Sequence, residues 1–559
     1  MRRRHKKKKY EITPDEIFLD AYNTPQFDTQ QMEGRIEKKI SSRSVQIFMG
    51  FIGALFVFFI VYVGNIQIKN GNSFYERSLR NTLYREPIFS NRGVITDRAG
   101  VRLTWNEEDE EGERFRHYRN GEVFSHLLGY VHYPKRDNNG NYWREDFEGV
   151  SGIEGRFNEI LNGKNGSILF ERNAFGEKIS ESMTRNAESG KNVVLTLDAE
   201  LQESFYENMM NVMESEGYEG GAAVMMDIES GELLTLLSIP GFDPDVLSKG
   251  SDVDYINGLF NSKYKPFLNR VVSGLYTPGS IVKPFVAFGA LAEGIVDPYH
   301  KVLSNGQISI PNRYNPDNPT IFKDWKVHGM VDLTDAIAVS SNTYFYSIGG
   351  GFGPQEGLGI EKINSYMNLF GIGQKTKSDI GSERDGVVPN PEWKEEIFAD
   401  GDWRVGDTYN TSIGQYGFLV SPLQMVRAVG GIATKGTLVT PYILKDNQTQ
   451  NSEFVGEFSE EIWRPIYEGM RKTVLTGSGA IMNHSTFHVA AKTGTAQVAG
   501  NTKVNSWSMG FFPYENPKYA YIVMLERAPK TYQRSASFAM SGVIQWMSEN
   551  RPEFNILLE

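Results

Sequence analysis

Eighteen consecutive residues without a charge, IFMGFIGALFVFFIVYVG (Ile47–Gly64), set the first limit on how this chain can fold. About 20 apolar residues in a helix span the hydrocarbon core of a bilayer. The run is apolar on every side, so it is either a bilayer span or a helix buried deep in a core. A cleaved signal peptide would have a shorter apolar region and a small-x-small site after it, and NIQIKNG has none. Residues 45–68 are therefore expected to be a single transmembrane anchor. Upstream lie Arg35, Lys38, Lys39, Arg43 and the basic tip MRRRHKKKKY. That excess of Lys and Arg places the N-terminus in the cytoplasm and everything after residue 68 outside it. Residues 1–44 are then a mostly polar cytoplasmic tail, with bases suited to anionic lipid.

The 559-residue chain has 58 Lys+Arg and 69 Asp+Glu, a formal net charge of −11. Residues 1–44 hold 11 basic and 7 acidic residues, so the part beyond the anchor is distinctly acidic. An acidic body argues against a nucleic-acid partner. With no cysteine, the chain has no disulfide, no thiolate metal site and no cysteine nucleophile. The length allows roughly three or four domains.

Residues 69–190 are rich in charged and aromatic residues, with short strand-like runs and many turns. VITDRAGVRLTW reads as a hairpin turning at Arg98-Ala99-Gly100. GVSGIEGRFNEILNGKNG reads as a turn, one short helix and a Gly-rich close. No dense catalytic cluster falls here. From Val193 the pattern changes. Leu201, Phe205, Met209, Val212 and Met213 recur at helical spacing. GAAVMMDIESGELLTLLSIP predicts two strands joined at Glu229-Ser230-Gly231. Far downstream, HVAAKTGTAQV, WSMGFFPY and YAYIVMLERA predict three more, the last two joined at Glu515-Asn516-Pro517. SFAMSGVIQWMSEN predicts a terminal helix. Two strands early, three late and helices between them predict one antiparallel sheet with helices on its faces, an α+β layer architecture.

The chemistry concentrates in three short segments. In YTPGSIVKPF, Pro278-Gly279 opens a helix that IVKPFVAFGAL continues, and Pro284 is tolerated only in the first turn. Ser280 thus stands at a helix N-terminus, which favours a developing anion. Lys283, three residues on, shares its face and can reach its hydroxyl. A neutral lysine can serve as the base that a serine nucleophile needs; neutrality requires burial or a nearby cation. Ser262 and Lys265 have the same spacing without that context and read as a surface loop. SSNTYFY supplies Ser340 and Asn342.

AAKTGTAQ supplies Lys492, Thr493, Gly494 and Thr495 in a predicted strand, with Lys492 and Gly494 on one face and Thr493 on the other. Gly494 leaves room for another backbone, as an extended peptide pairing along that edge would need. Lys492 is a second cation, expected to lower the pKa of Lys283 and to hold a carboxylate. Alone, SxN suits a helix cap and KTG a turn; in this order and context they read as one site. A Ser-His-Asp site is disfavoured, since no GxSxG occurs and His484 and His488 read as packing or surface residues. No HExxH or clustered ligand spacing argues for a catalytic metal. Asp324 and His328 read as a structural pair, with metal binding as the alternative.

SxxK, SxN and KTG together form the penicillin-binding protein and serine β-lactamase signature. With FSNRGVITDRAG, GVSGIEGRFNEIL, PFLNRVVSGLYTPGSIVKP and GDTYNTSIGQYGFLVSPLQM around them, the chain resembles a class B penicillin-binding protein over roughly residues 44–545. DWKVHG and SSNTYFY lean toward the elongation type. The resemblance implies a transpeptidase domain, 191–559: a five-stranded antiparallel sheet with helices on both faces and an all-helical subdomain. It implies an elongated mixed α/β pedestal of the dimerisation type, 69–190.

It also implies that Ser280 attacks the D-Ala–D-Ala carbonyl of a peptidoglycan stem peptide. Lys283 would be the base, Ser340 a proton relay, and Asn342 would orient Lys283 and the substrate amide. Lys492 and Thr493 would hold the terminal carboxylate, with Gly494 and Thr495 completing the substrate-binding strand. The backbone N–H groups of Ser280 and Thr495 would form the oxyanion hole. β-Lactams would acylate Ser280. No cofactor is implied. Some elongation-type relatives carry a metal site before SxN, which is not carried over to this cysteine-free chain. Residues 70–190 hold nothing like a glycan-polymerising site, so the implied partners are a SEDS-family glycosyltransferase and other elongation-complex proteins of the plasma (inner) membrane. A division-type class B enzyme, a D,D-carboxypeptidase or another β-lactam-interacting serine hydrolase are the alternatives.

Overall fold

The computed structural model describes residues 41–74, 83–108, 110, 114–138, 142–172, 178–312, 315, 317–399, 401–446 and 451–554. Residues 1–40 of the expected cytoplasmic tail lie outside the described residues. The chain divides into two compact units. One runs to Tyr84 and includes Phe170–Glu181; it contains helix α1 (Ser42–Gly64). Ser41 caps α1, its Oγ accepting from the Ser44 N–H at 3.2 Å. The helical path continues to Lys69, 28 residues in all, and its apolar 18-residue window has a mean hydropathy of 2.5. That is long and apolar enough to cross a bilayer, and its apolar window is 0% buried against protein.

The other unit comprises Arg85–Leu169 and Ser182–Glu559. Its centre is a sheet of β1 (Gly220–Asp227), β2 (Leu233–Ile239), β3 (Ala490–Val498), β4 (Lys503–Phe512) and β5 (Tyr519–Pro529). The strand order is β2-β1-β5-β4-β3, and every neighbouring pair is antiparallel. The two early strands and the three late ones thus join at β1 and β5, as the sequence pattern predicts. β1 and β2 are buried almost throughout, which is why they read as continuous apolar runs without alternation.

Around the sheet lie α2 (Ala199–Glu216), α3 (Lys283–Ala292), α4 (Leu333–Val339), α5 (Asn342–Gly350), α6 (Pro422–Ala433), α7 (Glu460–Leu475) and α8 (Ala536–Asn550). α2 begins at Asp198, whose side chain accepts from the Leu201 N–H at 3.0 Å, and ends at Gly217 in the left-handed region. Its predicted stripe of Leu201, Phe205, Met209, Val212 and Met213 is buried. α6 opens with a capping box, Ser421 and Gln424 bonding each other's backbone, with Pro422 in the first turn. Gly221 of β1 sits against Met209 of α2, whereas Gly430 of α6 sits against Met226 of β1. Helices therefore cover both faces of the sheet.

Two local expectations change within residues 85–169. The VITDRAGVRLTW hairpin closes as a tight turn, with a single bridge between Thr96 and Arg102. Thr104–Glu108 turns away and pairs with Arg114–Tyr118. The Asp97 carboxylate holds the turn by accepting from the N–H groups of Ala99 at 2.9 Å and Val101 at 2.8 Å. The expected single helix is two, Gly152–Arg156 and Asn158–Leu161. Glu154 in the first is fully buried between two arginines, with Arg92 Nε at 2.6 Å and Arg116 Nε at 2.7 Å. A buried carboxylate needs such partners.

Candidate active site

Ser280 lies in a 3-10 turn, Gly279–Val282, that runs straight into α3 at Lys283. Pro284 follows within the first turn, where no N–H is needed. Gly279 has φ +58, and a Cβ there would come within 2.9 Å of the Thr495 carbonyl oxygen. The two segments expected to form the oxyanion hole therefore run side by side. Gly494 serves the same approach from the other side. A Cβ on it would meet Ile281 Cγ2 at 2.9 Å and the Pro278 carbonyl oxygen at 3.0 Å. Gly494 thus lets the chain's own Ser280 turn approach β3. By contrast, Ser262 and Lys265 sit in an exposed turn, with Lys265 at φ 49.

The SxN segment is the junction between α4 and α5. Ser340 ends α4 in the left-handed conformation, φ 58 and ψ 42, which costs a non-glycine residue about 1–2 kcal/mol. Ser341 caps α5, accepting from the Tyr344 N–H at 3.3 Å. Asn342 is the first residue of α5. The strained turn aims the Ser340 and Asn342 side chains at Lys283. Lys283 Nζ donates to the Ser340 carbonyl oxygen at 2.8 Å and to Asn342 Oδ1 at 2.7 Å, and lies 3.3 Å from Ser340 Oγ. From the KTG strand, Lys492 Nζ donates to Ser340 Oγ at 2.9 Å and to the Thr493 carbonyl oxygen at 2.9 Å. Ser340 Oγ therefore sits between two amines. Among the described residues, Ser280 Oγ makes no hydrogen bond with Lys283; the lysine, predicted to reach it, is engaged by the SxN turn.

Both lysines are fully buried. Burial lowers the Lys283 pKa to about 7, and the Asp324 carboxylate opposes that by raising it. The Lys492 pKa is also lowered, by burial first and by the charge of Lys283 second. The cause expected for Lys283 was the Lys492 cation; burial is the dominant cause, and the mutual repulsion falls on Lys492.

Asp324 acts on the same turn. Its side chain is 0% exposed. Oδ2 accepts from Ser341 Oγ at 2.9 Å, the Thr343 N–H at 2.9 Å and Ser304 Oγ at 3.2 Å. Burial opposes its ionisation, but these backbone hydrogen bonds and Lys283 hold its carboxyl below the usual range. His328 Nε2 lies 3.7 Å from Asp324 Oδ1. Asp324 is thus an anchor for the SxN turn, which its spacing to His328 did not reveal. Among the described residues no group of three or more His, Cys, Asp or Glu side chains is placed to hold a metal.

Two more residues escaped the sequence reading. Ser478 Oγ is 2.5 Å from Thr493 Oγ1, and Tyr532 OH is 3.1 Å from Thr495 Oγ1. Neither has a spacing signal, because each meets the KTG strand across a loop. As the strand alternation predicts, Lys492 and Gly494 are buried while Thr493 and Thr495 face outward.

This arrangement can be compared with known proteins. The penicillin binding protein transpeptidase domain matches residues 221–541. The chain belongs to the penicillin-binding protein transpeptidase family. A penicillin-binding protein dimerisation domain also matches residues 110–195. The chain is 31% identical to a peptidoglycan D,D-transpeptidase MrdA of Acinetobacter baumannii, over 74% of this chain and 64% of that protein. It thus spans just under two thirds of the length of that relative. Its identity to the Salmonella typhimurium protein of the same name is 26%, over 88% of this chain and 93% of that one. Among solved structures, the complex between penicillin-binding protein PBP2 and MreC from Helicobacter pylori is similar, with a TM-score of 0.69 at 26% identity, covering 84% of this chain and 99% of that one. The relatives and the solved structure are thus of the MrdA and PBP2 kind.

Proposed function

We propose that this chain is a peptidoglycan D,D-transpeptidase of the elongation type, working through an acyl-serine intermediate on Ser280. Lys283 takes the proton of Ser280 Oγ as the oxygen attacks the carbonyl of the D-Ala–D-Ala bond. The backbone N–H groups of Ser280 and Thr495 receive the developing oxyanion. The proton passes through Ser340 to the departing D-Ala amine, and the C–N bond breaks. The amine of a neighbouring stem peptide then attacks the ester, loses its proton by the same path and releases Ser280. Lys492 and Thr493 hold the terminal carboxylate, and Asn342 keeps Lys283 in place.

One observation supports this reading most. A neutral amine has two protons and one lone pair. The Ser340 carbonyl oxygen and Asn342 Oδ1 take the two protons at 2.8 and 2.7 Å. The lone pair is left for a hydroxyl, as a general base requires. Catalytic hydrogen bonds are often long before substrate arrives, so the missing Ser280–Lys283 bond is compatible with that role.

The relatives named MrdA carry this activity in their names. By the same likeness, residues 191–559 are the catalytic domain and 69–190 the pedestal. The partners are an MreC-like elongation protein and a SEDS-family glycosyltransferase. The anchor is α1, with the N-terminus cytoplasmic and the catalytic domain outside. Covalent labelling by a fluorescent penicillin tests the site. Ser280→Ala should abolish labelling, and Ser262→Ala should leave it unchanged. Labelling that survives in Ser280→Ala would sink the assignment.

A further inference from the structure

Ser478 stands in the turn that follows α7, just before a 3-10 turn at Ala480–Met482. This turn is latched to the end of α4. The Ser478 N–H donates to the Ala338 carbonyl oxygen at 3.1 Å. Gly477 permits the approach, because a Cβ there would come within 2.3 Å of that same oxygen. Ala338 is two residues before Ser340. The same turn reaches the KTG strand, where Ser478 Oγ is 2.5 Å from Thr493 Oγ1. One exposed hydroxyl thus touches two of the three segments that build the site.

We propose that Ser478 is a positioning residue for the donor's terminal carboxylate, acting through Thr493. Two hydroxyls in contact have two protons between them. One proton bridges the pair. If Ser478 donates it, the Thr493 proton is left over; if Thr493 donates it, the Ser478 proton is left, with the Ala338 carbonyl oxygen 3.5 Å from Ser478 Oγ as its acceptor. With Ser478 as the donor, the pair presents one free O–H at the outward face of β3. That is the donor a carboxylate accepts, and a hydrogen bond to a charged acceptor is among the stronger kinds. Without Ser478, the Thr493 hydroxyl rotates freely and loses that orientation. The inference rests on the reading of Lys492 and Thr493 as the carboxylate site.

The test compares benzylpenicillin with its methyl ester, which has lost the anionic carboxylate, on the full-length membrane protein. In Ser478→Ala the second-order acylation rate constant for benzylpenicillin should fall about tenfold, as expected for one charge-assisted hydrogen bond. The constant for the ester should not change, and Ser478→Thr should restore the free-acid rate. Thr493→Ala should show the same selective loss. If Ser478→Ala slows both probes equally or neither, while Thr493→Ala remains selective, this inference is overturned and the carboxylate site stands. If Thr493→Ala is not selective either, the inference falls together with the reading beneath it.

Discussion

At the scale of single residues, the behaviour of Lys283 depends on two opposed effects. Burial favours the neutral amine and brings its pKa to about 7, while Asp324 favours the ammonium. In the proposed mechanism the amine is competent as a base above that pKa and protonated below it. Acylation should therefore fall about tenfold per pH unit on the acid side of about 7. Asp324→Asn removes the charge that stabilises the ammonium. The Lys283 pKa then drops further, and the acid limb should move to lower pH, by about one unit. The charged groups bearing on Lys283 are Asp324 and Lys492, and Lys492 is unchanged in this variant. The rate above pH 8 should also fall, because an amide has one acceptor oxygen where the carboxylate uses two, Oδ2 for Ser341 and Thr343 and Oδ1 for the Trp325 N–H. Acylation profiles from pH 5.5 to 9 decide the matter: a limb that stays in place, or moves to higher pH, is incompatible with Asp324 acting on the lysine.

At the scale of elements, the site is made by two approaches that only glycine allows. Gly279 and Gly494 bring the Ser280 turn and β3 into backbone contact. A Cβ on Gly494 would need the Pro278 carbonyl or the Ile281 side chain to move, and displacement near a reacting group can cost about a hundredfold in rate. Gly494→Ala should slow acylation at least tenfold, with a stability loss of about 1–3 kcal/mol. Gly258→Ala, where nothing lies within 4 Å, should leave the acylation rate unchanged. Equal rates for wild type and Gly494→Ala would show that the close approach is not needed.

These elements also show what the sequence could reveal. The five strands, α2 and the helix at Ser280 were legible because each carries its own periodicity or turn chemistry. Asp324, Ser478 and Tyr532 were not, because their roles arise from contacts between distant segments. Gly494 was recognised as a point of close approach, but not what approaches it. Nor was the burial of Glu154 between Arg92 and Arg116 legible, partners 62 and 38 residues away in the chain.

At the scale of the whole molecule, the question is which side of the membrane Ser280 faces. α1 has no charged residue from Val45 to Gly64. The segment before it holds 11 Lys+Arg against 7 Asp+Glu within 1–44, while the chain as a whole is acidic. A basic flank on one side of the span predicts that flank in the cytoplasm. On the proposed topology the acidic remainder faces out, where a D-Ala–D-Ala stem peptide would be met. The chain has no cysteine, so single introduced thiols report topology without background. Ser251→Cys, at an exposed position, should react with a membrane-impermeant maleimide in intact spheroplasts. Thr24→Cys, in the N-terminal segment, should react only after permeabilisation. The reverse pattern would put Ser280 on the cytoplasmic side, away from any cross-linking substrate. It would overturn the orientation and, with it, the assignment of the chain to cell-wall chemistry, whatever the rate at which Ser280 reacts with penicillin in detergent.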